Sequence, residues 1–167
     1  MFQIQTFTAK ADFPEDRIRL DAVDPAGNTQ QIHVTRRLAD RFVPLLLDRV
    51  METAAPGKAR EIDLAMQQER LRNERNENPV PDVEAKADAQ RWLCLTMHLG
   101  GEGGNMTWTL TDEADNKAVM GLGGELPRTV LDILLLMYRQ LEWDTAVFPE
   151  WLKEVGLNDD SQPRVLN

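Results

Sequence analysis

Hydrophobic and polar positions along this chain change period twice, and the whole succession then recurs. Over residues 17–23 the apolar side chains alternate, with Ile18, Leu20 and Ala22 on one face, and the Asp-Pro-Ala-Gly-Asn run at 24–28 supplies turn formers. Ile32 and Val34 then restart the alternation, so the segment predicts a hairpin. From residue 36 to 51 the spacing becomes helical, through Leu38, Phe42, Leu45, Leu46 and Val50. Thr35 is the natural cap, and Pro44 marks a kink or an earlier boundary. The second round places Met106, Trp108 and Leu110 on one strand face, turn residues at 112–116, and Met120 with Leu122 on the return strand. A helix over 126–143 follows, striped by Leu126, Val130, Ile133, Leu134, Met137 and Leu141.

Laid over one another without a gap, residues 20–50 and 108–138 pair Asp24 with Asp112, Asn28 with Asn116, Leu38 with Leu126 and Leu46 with Leu134. The agreement of turn, strand parity and helix phase predicts a concealed duplication. An additional strand precedes each hairpin, at 2–9 and 92–99, so the unit reads strand, strand, strand, helix. The expected fold is α+β: duplicated βββα units forming an antiparallel sheet packed by helices. It is drawn either as one continuous sheet or as two sheets related by an internal pseudo-twofold axis. A unit of about fifty residues is marginal alone, which favours a single domain over 1–152. Its copies fall at about 1–52 and 91–143, joined by a charged crossover at 53–90 and followed by a flexible tail at 153–167.

The crossover has few large apolar residues, and its stretch 59–75 suits a solvated helix. The second long helix is apolar nearly all round, carrying Leu131, Leu135, Leu136 and Tyr138 beyond its stripe, and needs cover on several sides. Asp132 interrupts it and is expected to face solvent.

Charge then narrows the function classes. The chain carries 28 acidic against 19 basic residues, a formal net charge of −9, which disfavours a nucleic-acid binder with a basic footprint. The apolar run at 130–136 is broken by Asp132 and far too short to span a bilayer, and the first nine residues lack a basic leader. A cytoplasmic protein without membrane contact is the expectation, and the lone Cys94 rules out an internal disulfide.

Chemistry-bearing residues are sparse. Cys94 and His98 share strand parity but sit about 13 Å apart on an extended strand, too far for a nucleophile and its base. His33 reads as structural. The glycine cluster at 100–104 joins two strands and reads as a flexible loop, whereas Gly121, Gly123 and Gly124 lie between a strand and a helix and make the better anion candidate. No catalytic residue, metal or cofactor is nominated.

Trp92, Trp143, Phe148 and Trp151 are candidate interaction anchors, because aromatic residues bury large areas at modest entropy cost. For Trp143, Phe148 and Trp151 the first reading is a clamp that holds the C-terminal segment back over the apolar helix, and the protein-binding patch is the alternative. The function expected is a noncatalytic protein-interaction or assembly module, partnered by itself or by another protein. The alternative is a small-ligand-binding protein or enzyme with a pocket between the duplicated halves, drawing on Cys94, His98, Gly121, Gly123 and Gly124.

Overall fold

Adjacent residues in this protein donate backbone hydrogen bonds into different sheets, and that happens twice. In the computed structural model, which describes residues 1–102 and 104–153, Ile4 N–H bonds Val119 O at 2.8 Å while Gln5 N–H bonds Val23 O at 2.8 Å. Cys94 N–H bonds His33 O at 2.8 Å, and Leu95 N–H bonds Thr111 O at 2.9 Å. Each pair marks the point where the chain leaves one sheet and enters the other.

The strands are β1 Phe2–Gln3, β2 Thr6–Asp12, β3 Arg17–Val23, β4 Thr29–Thr35, β5 Gln90–Leu93, β6 Thr96–Gly100, β7 Met106–Thr111 and β8 Lys117–Leu122. They form two four-stranded sheets, in the orders β2-β3-β4-β5 and β1-β8-β7-β6. Within each, three consecutive strands are antiparallel and the fourth is a parallel edge strand from the other half of the chain: β5 beside β4, and β1 beside β8. The protein is therefore α+β. The expectation of an antiparallel sheet is corrected to two mixed sheets. The continuous strands expected at 2–9 and 92–99 are each split by the switch, because two short parallel pairings replace a straight run.

Local chemistry accounts for the hairpins and helices. Ile18, Leu20 and Ala22 of β3 and Ile32 and Val34 of β4 are buried. The register sets Ile18 against Val34 and Leu20 against Ile32, so the core face is built from cross-strand apolar pairs. The hairpin turns match atom for atom: Asp24 Oδ1 accepts from Asn28 N–H at 2.8 Å, and Asp112 Oδ1 accepts from Asn116 N–H at 2.8 Å. Helix α1, Arg36–Glu52, starts where the Thr35 hydroxyl oxygen accepts from Leu38 N–H at 3.3 Å, and it runs through Pro44. Helix α2 spans Arg60–Glu77, α3 Leu126–Gln140 and α4 Glu150–Lys153.

One contiguous core links both sheets and the helices. Helix α1 packs on β4, β6 and α3, and α3 packs on α1 and β2. Trp108 lies at the junction, stacked on Phe42 at 5.2 Å and met edge-on by Phe7 at 5.9 Å. The cover that α3 requires comes partly from its own C-terminal extension. Trp143 and Phe148 each meet Tyr138 edge-on at 5.0 Å, and Trp143 Nε1–H donates to Asp16 Oδ1 at 2.7 Å.

Asp132 does not face solvent. It is buried and paired with Arg72 and Arg75 of α2, with Arg75 Nη2 at 2.5 Å, and Arg72 Nη2–H also donates to Leu152 O at 2.9 Å. The α2 segment, expected as a solvated surface helix, is thus held against α3 and α4 through this carboxylate and through buried Leu64 and Gln68. The tail expected from residue 153 lies, beyond Lys153, outside the described residues.

Candidate functional site

A groove of about 490 Å³, lined largely by apolar side chains, lies between β2, α3 and the end of the crossover. Phe7 and Ala9 of β2 form one wall, and Met120, Val130, Ile133 and Met137 form the floor. Arg75, Pro79 and Val80 close the third side. Two apolar rim residues remain in contact with solvent, Val80 at 65% and Leu126 at 39% exposure. The wall formed by β2 is a sheet edge, with no strand among the described residues paired to its outer side. The polar lining comprises Thr6, Thr8, Asn76, Asp82, Thr129 and Arg75, and Arg75 Nη2 holds Asp132 while its buried Nε lacks a hydrogen-bond partner.

Sequence reasoning offered a pocket between the halves but nominated none of the residues that line this groove, because its walls come from three distant segments. The only available signal was the surplus of apolar positions on α3, among them Ile133 and Leu136, which line it.

The residues nominated from sequence lie elsewhere. Trp92, Trp143, Phe148 and Trp151 are all buried, each less than one-tenth exposed, and Trp92 Nε1–H donates to Gln30 Oε1 at 3.0 Å. Cys94 sits at the β5-to-β6 switch, where burial pushes its thiol up to about 11, and its Sγ–H donates to Thr96 O at 3.1 Å. Such a thiol is a poor nucleophile at neutral pH. His98 is exposed on β6, and Gly121 on β8 lies two strands away, about 10 Å. These groups do not converge. Gly123 and Gly124 form the turn into α3, and Gly124, at φ +59°, lines a separate cavity of about 140 Å³.

One cluster has donor atoms of the kind that hold a metal. A ligand atom from each of Asp12, Glu15 and His33 falls within 4.8 Å of the others. His33 is buried, and desolvation lowers its pKa from the ordinary imidazole value, with Arg91 adding to that effect and Glu15 opposing it. Both Glu15 oxygens already face arginines, Arg91 at 2.8 Å and Arg17 at 3.3 Å. The cluster is consequently close to charge balance without a cation.

No helix among the described residues is long and apolar enough to cross a membrane. No protein-family model, curated protein or solved structure matches the chain.

Proposed function

We propose that this protein is a noncatalytic interaction module that takes an extended, apolar segment of another protein into the groove beside β2. The observation that carries this reading is the coincidence of an unpaired strand edge with an apolar floor. Strand addition uses both: main-chain hydrogen bonds to the edge supply affinity, and alternate side chains of the guest enter the pocket. Exposed Val80 and Leu126 give the rim an apolar character that docking would cover.

A second reading is a small apolar ligand with one acceptor group. The volume of about 490 Å³ falls in the usual range for such sites, and Arg75 Nε is a buried donor in want of an acceptor.

We further read the two halves as copies of one strand-strand-strand-helix unit with their leading strands exchanged. The matched turns at Asp24 and Asp112 support it, as do the reciprocal switches at Ile4–Gln5 and Cys94–Leu95. On that reading the groove lies between the copies.

The test is native mass spectrometry of the chain isolated gently from its own cells, beside an Ile133→Lys variant that fills the floor with a charged side chain. A co-isolated polypeptide lost in the variant supports the first reading, and a small-molecule mass lost in the variant supports the second. Bound masses that persist unchanged in Ile133→Lys, or a wild-type chain that carries none, contradict both.

A further inference from the structure

Arg128 carries a charge that no described carboxylate pairs with directly. It lies in the first turn of α3, is only 8% exposed, and its guanidinium makes no ion pair or hydrogen bond with any described residue, leaving Nη1 buried and unpartnered. A guanidinium cannot escape burial by losing its proton as a lysine can, so a buried arginine ordinarily has an anion beside it. The nearby carboxylate that acts on it, Glu125, is itself ion-paired to Arg70 at 2.7 Å. Burial lowers the Arg128 pKa from the ordinary guanidinium value, as expected for a cation short of compensation.

The space beside this side chain is large enough for a small anion, with Val50, Met106, Leu122 and Pro127 forming its apolar part. Arg128 lines the cavity of about 140 Å³ together with Arg49, Thr53, Gly104 and Gly124. Arg49, from the last turn of α1, also lines it, and among the described residues its one ion pair is a 3.4 Å contact to exposed Glu52. The cavity also sits at the N-terminal end of a fifteen-residue helix, where the backbone dipole favours negative charge. Thr53, Gly104 and Gly124 are exposed, so the site opens to solvent.

We propose that Arg128 and Arg49, at the N-terminus of α3, form a binding site for a phosphate group, free or carried as a small phosphomonoester. Two arginines suit a tetrahedral oxyanion, because each can offer a pair of N–H donors to adjacent oxygens and a phosphate has oxygens enough to engage both. The site stands apart from the β2 groove, with which it shares no lining residue, and depends on none of the reading given to that groove.

The experiment is an NMR titration of the full chain with inorganic phosphate and, separately, with O-phosphoserine, following the arginine Nε–H resonances against sodium chloride at equal ionic strength. Saturable shifts of Arg128 and Arg49 with phosphate, absent with chloride, are expected, with the Arg49 shifts lost in Arg128→Gln and binding read at Arg128 weakened about tenfold or more in Arg49→Gln. Tighter binding of O-phosphoserine identifies the phosphomonoester as the source, and equal binding identifies the free ion. Shifts that fail to saturate, or that chloride reproduces, overturn the proposal. Should Arg128→Gln not fold, unchanged phosphate affinity in Arg49→Gln overturns it equally, since Arg49 lies at the rim of the cavity and its replacement leaves the core intact.

Discussion

The carboxylate of Asp132 on α3 accepts a hydrogen bond from Arg75 Nη2 on α2 at 2.5 Å, across 57 positions of sequence. Arg75 is also a wall of the apolar groove, so this one contact joins the docking of the crossover to the shape of the site. Asp132 is 6% exposed, whereas the arginine side chains keep 14% and 24%, and losing the acid therefore leaves cations that can partly reach water.

Asp132→Ala is accordingly expected to destabilise the protein by about 2–3 kcal/mol, below the range for a fully buried pair. Urea unfolding measures it as a lower midpoint, and hydrogen exchange should locate the loss in α2, with both sheets still protected. Uniform loss of protection instead would mean that the crossover is integral to the core.

Trp143 was legible as a clamp over the apolar helix, but its hydrogen-bond partner was not. Its indole is buried and donates to Asp16 Oδ1 at 2.7 Å, joining the C-terminal extension to the β2–β3 turn. Trp143→Phe keeps the packing and loses that bond, at a cost of about 1 kcal/mol because exposed Asp16 can turn to water. Trp143→Ala adds a cavity beside Tyr138 and should cost about 3–5 kcal/mol. Chemical denaturation of the two variants tests this, and a Trp143→Ala variant of wild-type stability would place the indole outside the core.

The two hairpin turns predict a matched titration. The side-chain amide of Asn28 holds the Asp24 carboxyl below its ordinary value, and Asn116 does the same for Asp112. A carboxyl depressed on folding contributes stability that is present above its unfolded pKa, near 3.8, and is lost as the pH falls through the lower folded value. Carbon-13 NMR of the carboxyl groups should show both aspartates titrating low, and Asn28→Ala should raise Asp24 while leaving Asp112 in place. An unmoved Asp24 would show that the backbone N–H donors of the turn dominate.

Much of the fold could be read from the chain because it is written in local periods. Ile18, Leu20 and Ala22 repeat at the strand period, and Phe42, Leu46 and Val50 at the helical one, and all are buried. What could not be read depends on distant partners. The strand expected at 2–9 begins with β1, whose two residues pair in parallel with β8 more than a hundred positions away, so no local pattern announces the break after it. Asp132 looked like a solvent-facing break in an apolar helix because its arginines lie some sixty residues earlier. The groove was hidden for the same reason, its walls being contributed by β2, α3 and the crossover, and the unpaired state of Arg128 exists only once the chain has folded.

The most direct test of the docking role is photo-crosslinking from Thr129, a wall residue of the groove, in the protein's own cells, with Ile62 on the exposed side of α2 as the control position. The account predicts cross-links from Thr129, and not from Ile62, that map to an extended apolar segment of one other polypeptide and disappear when Ile133→Lys fills the groove. Equal labelling from both positions, or labelling at Thr129 that survives Ile133→Lys, would contradict it.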